Sequence, residues 1–121
     1  FTLPIQKASL HQDSNVFSDE ELAERLSKGP VFLNFTADWC ITCKVNERIA
    51  LKTEKTLKFF EKKNIFYWEA DWTNKNELIA KKLASFGRSS IPLYIYYPDN
   101  KSVPIILPEI LTESVIQDYL N

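Results

Sequence analysis

The chain has no methionine, a single histidine, only two cysteines and no long hydrophobic run. Besides the cysteines, His11 is the one further nitrogen or sulfur ligand of the kind zinc prefers, which argues against a four-ligand structural site. A purely structural disulfide is also a poor use of the pair. Cys40 and Cys43 stand three positions apart, and closing so short a loop removes little unfolded-state entropy. No apolar stretch approaches the ~18–20 residues of a membrane span. The longest, residues 91–97 and 103–107, are strand-sized and interrupted or bounded by proline. A formal net charge of −1 excludes the broad positive surface of a nucleic-acid binder and any general attraction to a membrane. Starting at Phe1 with no methionine and no visible signal peptide, the sequence reads as a processed product or an excised domain.

What is present suffices for one folded unit. At 121 residues and 45% hydrophobic content the chain can bury a core of its own. Both cysteines lie in Ala37-Asp38-Trp39-Cys40-Ile41-Thr42-Cys43-Lys44, directly after the apolar run 31–35. A buried strand that delivers Cys-x-x-Cys to the start of a helix is what thiol–disulfide exchange requires. The first cysteine then sits where free backbone N–H groups and the helix dipole favour a thiolate. The second lies one turn further in, within reach of a disulfide. Trp39 in front and Lys44 behind complete a partly exposed, weakly electropositive setting. Such a pair fits a reducing cytosol and an oxidising periplasm equally well.

Residues 1–15 are polar and mixed and read as a linker; residues 16–121 form the domain. Ser18 and Glu21 make a capping box, and Lys28-Gly29-Pro30 stops the helix that follows, with Leu22, Ala23 and Leu26 as its apolar face. Residues 31–36 predict a central strand. The helix opened by the cysteines runs on through Val45 and Ile49. Thr53 caps another, with Leu57, Phe59 and Phe60 facing inward and Lys52, Lys55, Lys58 and Lys62 on a solvated face. Residues 65–70 predict a second strand, 74–84 a helix with Leu78, Ile79 and Leu83 inward, 91–97 a third strand and 103–107 a fourth after a turn at 98–101. Thr112 opens a last helix that packs through Val115, Ile116, Tyr119 and Leu120. The order α-β-α-α-β-α-β-β-α implies parallel pairing with an antiparallel hairpin at the edge.

This order, with Trp39-Cys40-x-x-Cys43-Lys44 after the first long strand and Ile91-Pro92 opening a later one, resembles the thioredoxin fold. Residues 34–47, Ala70-Asp71-Trp72-Thr73 and 86–94 resemble more closely the C-terminal domain of the DsbD and ScsB family of transmembrane thiol:disulfide interchange proteins. Leu107-Pro108-Glu109-Ile110-Leu111-Thr112 is similar to the ScsB-type branch. The resemblance implies an α/β thioredoxin fold, a central mixed sheet of about four to five strands flanked by helices, with a cis-proline loop beside the active site. It implies a protein-disulfide reductase with no cofactor beyond a redox-active Cys40–Cys43 disulfide. The domain would lie in the periplasm, tethered to the inner membrane. A membrane-embedded domain of the same polypeptide would pass it electrons from cytoplasmic thioredoxin, and a periplasmic disulfide-containing domain or protein would accept them. The isolated domain would be monomeric, with no nucleic-acid partner. Two other classes stay open: a stand-alone thioredoxin, and a redox-inert binding module that kept the fold.

Cys40 is the expected nucleophile and Cys43 the resolving thiol. Ile91-Pro92 should be cis, placing the Ile91 backbone where an incoming strand can pair with it. Trp39 divides between packing and recognition. Asp38 either caps the active-site helix or tunes its thiol. Trp72 and Phe86 read as core or rim packing, and His11 as a solvated linker residue. The sequence departs from the thioredoxin pattern at Asn34, where a buried acid is usual, and at Ser90, where glycine is frequent. Asn34 cannot take the proton of Cys43 at ordinary pH. Glu47, four residues past Cys43 and so on the same helical face, is nominated instead as the catalytic acceptor; a solvated Glu47 paired with Lys44 is the alternative.

Overall fold

The structure is a computed structural model and describes residues 17–121. The linker assigned to 1–15, and His11 within it, lie outside the described residues. Helix α1 (Asp19–Leu26) starts where expected: the Ser18 hydroxyl accepts the Glu21 N–H at 3.1 Å. Strand β1 (Val31–Thr36) follows, then α2 (Ile41–Asn46), which runs into a wider π-helical turn at Glu47–Leu51. Helix α3 (Glu54–Lys62), β2 (Phe66–Asp71), α4 (Glu77–Ser85), β3 (Leu93–Tyr97), β4 (Ile105–Ile106) and α5 (Glu113–Leu120) complete the chain. Thr53, Asn76 and Thr112 cap α3, α4 and α5 with their side-chain oxygens.

The four strands lie in the order β2-β1-β3-β4. Every residue of β1 is buried, as a central strand covered on both faces requires. Because side chains alternate, β1 feeds two cores. Val31, Leu33 and Phe35 join Phe17, Leu22, Trp68, Ile79 and Leu83 on the side of α1 and α4. Phe32 joins Leu51, Phe60, Leu111, Ile116 and Leu120 on the other. Asn34 and Thr36 continue that second face, so the buried strand turns polar where it approaches the cysteines.

Several expectations are corrected. Strand β3 pairs antiparallel with β1, with Leu93 opposite Phe35 and Tyr97 opposite Val31, although β2 pairs parallel as expected. The connection from 72 to 92 leaves and returns at the same end of the sheet, so the alternation of elements does not dictate direction here. The fourth strand shrinks to two residues: Val103 is 83% exposed and Pro104 has no N–H to give the ladder. Ala23, Leu57, Leu78 and Tyr119 face solvent, whereas Thr56, not expected in the core, is buried with its hydroxyl on the Ala50 carbonyl.

Candidate active site

Cys40 ends the segment leaving β1 and serves as its own helix cap: its sulfur accepts the Cys43 N–H at 3.2 Å. The two cysteines are joined as a disulfide. Cys40 keeps 7% of its surface exposed and Cys43 none, so one sulfur of the pair borders solvent and the other faces the core. Ile91 packs on Ala37, Cys40 and Cys43, and the Ile91–Pro92 peptide is cis. Asp38 does not cap α2. The helix begins at Ile41, so the carboxylate of Asp38 falls short of the first turn and lies 3.9 Å from the Lys44 ammonium instead.

Trp39 is 47% exposed yet firmly held. Its indole N–H donates to the Thr73 carbonyl at 3.0 Å, and the Asp38 N–H donates to the Thr73 hydroxyl at 2.9 Å. The Trp72 ring sits 6.2 Å away, and the Lys75 ammonium lies 5.0 Å from the Trp39 ring centre. The 71–75 loop thus orients the tryptophan that precedes Cys40. Its Asp71-Trp72-Thr73 stretch was visible in sequence, but Lys75 carried no signal there. Trp72 and Phe86 pack against the edge of the first core.

Glu47 is buried, at 5% exposure, rather than solvated. Cys43, Asn46, Glu47, Ala50 and Leu51 form one inward stripe at helical spacing, which sets Glu47 one turn past Cys43 on the buried face. Its Oε2 accepts from the Thr36 hydroxyl at 2.6 Å and the Asn34 amide at 3.1 Å, and its Oε1 from the Lys44 ammonium at 3.3 Å. All three neighbours are donors, so the carboxyl group meets them as an acceptor. The structure therefore brings Asn34 and Glu47 together, as two halves of one hydrogen bond.

Asn46, Thr36 and Tyr67 were not expected at the site. The Asn46 amide donates to the Tyr94 hydroxyl at 2.9 Å and to the Glu109 carbonyl at 2.7 Å, and its oxygen accepts the Leu111 N–H. It pins the 107–111 segment to α2, and Arg88, from the proline loop, reaches the Glu109 carboxylate at 3.2 Å. Burial, with the Glu47 and Glu109 charges adding to it, pushes the Tyr94 phenol up to about 12, so it stays protonated at any physiological pH. Among the described residues no group of three or more His, Cys, Asp or Glu is placed to hold a metal ion. No helix among them is long and apolar enough to cross a membrane.

Residues 15–99 match the family model described as thioredoxin-like. The chain belongs to the thioredoxin-like family. Among curated proteins, none matches it. The thioredoxin-like domain superposes on the DsbD C-terminal domain of Neisseria meningitidis in its reduced form with a TM-score of 0.65, at 19% identity, covering 94% of this chain and 93% of that one. The oxidised form of the same domain gives 0.64 at 21% identity, over 93% and 91% of the two chains. Trxlp from Edwardsiella tarda gives 0.62 at 21% identity, over 86% and 94%. At these identities the likeness is one of fold. The thioredoxin-like domain is thus a thiol:disulfide oxidoreductase fold with a four-stranded mixed sheet and its Cys-x-x-Cys pair closed as a disulfide.

Proposed function

We propose that this domain is a protein-disulfide reductase acting as an electron relay in the periplasm. A membrane-embedded domain of the same polypeptide reduces its Cys40–Cys43 disulfide, and a periplasmic disulfide-containing domain or protein takes the electrons. The observation that carries the chemistry is the asymmetric pair: a helix-capping Cys40 at the solvent border, joined to a fully buried Cys43 beside the cis Ile91–Pro92 peptide. The fold likeness to the DsbD C-terminal domain over nearly the whole of both chains supports the relay setting.

In the reduced domain the Cys40 thiolate attacks one sulfur of the acceptor's disulfide. A mixed disulfide forms and the acceptor's other sulfur leaves as a thiolate. Cys43 then loses its proton to Glu47, directly or through water, and its thiolate attacks the Cys40 sulfur. The acceptor's second sulfur leaves as a thiolate, and its two thiolates take up the proton held by Glu47 and one from solvent. The acceptor departs as a dithiol carrying two electrons, and Cys40–Cys43 is left oxidised. The Ile91 backbone pairs with the acceptor's strand during the exchange.

The direction is reducing, because Ile41 and Thr42 between the cysteines offer no histidine to stabilise the thiolate further, and strong oxidants owe their potential to a stabilised reduced form. Equilibration with a glutathione series should give a potential near the thioredoxin value of about −270 mV. A value near −120 mV, roughly that of a strong periplasmic oxidant, would overturn the reading. A Cys43→Ala variant should trap the acceptor on Cys40, and failure to trap any partner disulfide would favour a redox-inert module. Efficient direct reduction by cytosolic thioredoxin reductase would favour a stand-alone thioredoxin.

A further inference from the structure

The buried polar strip does not end at Glu47. The register of β1 with β2 sets Phe32 beside Tyr67 and Asn34 beside Glu69, so Tyr67 and Glu69 share the face that carries Asn34 and Thr36. One hydrogen of the Asn34 amide goes to Glu47 Oε2 at 3.1 Å and the other to the Tyr67 hydroxyl oxygen at 2.8 Å. Tyr67 in turn donates to Glu69 Oε2 at 2.8 Å, and the Lys52 ammonium closes the row on the same oxygen at 2.9 Å.

The direction of each bond follows from chemistry. A carboxylate only accepts, so Tyr67 must give its proton to Glu69, which leaves its oxygen free to accept from Asn34. Burial first, and then the Glu69 charge, holds the Tyr67 phenol well above its ordinary range, so the proton stays in place. Burial works against the charge on Lys52, but its hydrogen bond to Glu69 and the Glu69 and Glu47 charges outweigh that and raise it. Asn34 Oδ1 has no hydrogen-bond partner among the described residues, so the two N–H bonds alone fix the amide plane. With one of them removed the amide becomes a rotor, and the bond it offers Glu47 loosens.

The charged and titratable groups around Glu47 are few. Lys44 comes from its own helix, Tyr67 and Glu69 from β2, Tyr94 from β3 and Lys52 from the turn after Leu51. Lys44 touches Glu47 directly, whereas Lys52 touches Glu69.

We propose that Tyr67 and Glu69 are positioning residues for the redox site, holding through the Asn34 amide the orientation in which Glu47 receives the Cys43 proton. The inference rests on the acceptor role proposed for Glu47. The test is stopped-flow oxidation of the reduced 121-residue chain by oxidised glutathione between pH 5 and 9, following the second step, in which Cys43 displaces glutathione from Cys40. In Tyr67→Phe that step should slow at pH 7 by about 2–10-fold, the size of one hydrogen bond, with a displaced pH profile. The ring stays to stack on Phe60 and Phe32, so the fold should survive. Glu69→Leu, which removes Tyr67's acceptor from a partly exposed position, should reproduce the displaced profile. In a Glu47→Gln background Tyr67→Phe should change nothing further. An unchanged profile in both Tyr67→Phe and Glu69→Leu, or equal slowing by Tyr67→Phe with and without Glu47, overturns the inference while leaving the acceptor role standing. A Glu47→Gln chain that itself behaves as the parent overturns the acceptor role, and the inference with it.

Discussion

Cys40 and Cys43 differ above all in what surrounds them. Cys40 caps a helix at the edge of solvent, where the helix N-terminus favours its thiolate, and Cys43 is wholly enclosed. In the reduced protein, brief iodoacetamide treatment should therefore alkylate Cys40 first, and mass mapping that finds Cys43 labelled first would reverse the assigned roles. The second residue-scale prediction concerns the Asn34–Glu47 bond. Glu47→Gln should slow mixed-disulfide resolution near pH 7 by of the order of 10²-fold or more, the usual range for a lost proton acceptor. Asn34→Asp alone would set a second carboxyl about where the Asn34 amide meets Glu47, 3.1 Å from its oxygen. Two carboxylates that close resist joint ionisation. In Asn34→Asp/Glu47→Gln the acid and the amide simply trade places, so the pair should recover part of the lost rate. Equal rates for the single Glu47→Gln and the double variant would remove the acid requirement.

At the scale of elements, α3 shows why spacing alone misassigns a face. Its hydrophobic residues tempt an inward reading of Leu57, but the fully buried positions are Thr56 and Phe60, four apart on one line, with Phe59 partly buried against the same core. Leu57 is 46% exposed and Phe60 3%. Phe60→Ala should thus cost about 3–5 kcal/mol, and Leu57→Ala should stay within about 0.5 kcal/mol, as surface substitutions do. Urea unfolding of the two variants compares them directly, and a similar loss for both would contradict this packing. The stripe that runs from α2 into the π-helical turn is the complementary case. Its core positions include Asn46 and Glu47, which no hydrophobicity count would place inside.

Across the whole molecule the tyrosines govern alkaline stability. Burial raises Tyr94 and Tyr97 to about 12, from the ordinary phenol value of 10.0, and lifts Tyr67 well above that ordinary value. A group whose folded pKa is raised contributes stability that is fully present below its unfolded pKa and lost as pH rises through the folded one. Stability should therefore hold up to about pH 10 and then fall toward pH 12, by at most ~1.4 kcal/mol per pH unit for each such tyrosine. Denaturant melts between pH 8 and 12 check this, and Tyr97→Phe should flatten the fall. The Tyr97 hydroxyl is buried with no hydrogen-bond partner among the described residues, so that substitution should not destabilise the protein at neutral pH. A steep loss of stability in Tyr97→Phe at pH 7 would count against the placement.

The elements themselves were legible from local chemistry: Ser18, Thr53 and Thr112 cap helices wherever they stand, and an all-apolar run such as 31–33 demands a covered strand. The Cys-x-x-Cys pair at a helix start likewise needs only its immediate neighbours to be read. The direction of β3 depends instead on where the long connection from 72 to 92 lets the chain return, and no residue of that strand records it. The same holds for the buried polar network around Glu47. Asn34, Glu47, Tyr67 and Glu69 are separated by up to 35 residues in the sequence. A buried polar side chain reveals its role only through its partners, and strand register together with the face of α2 selects those partners.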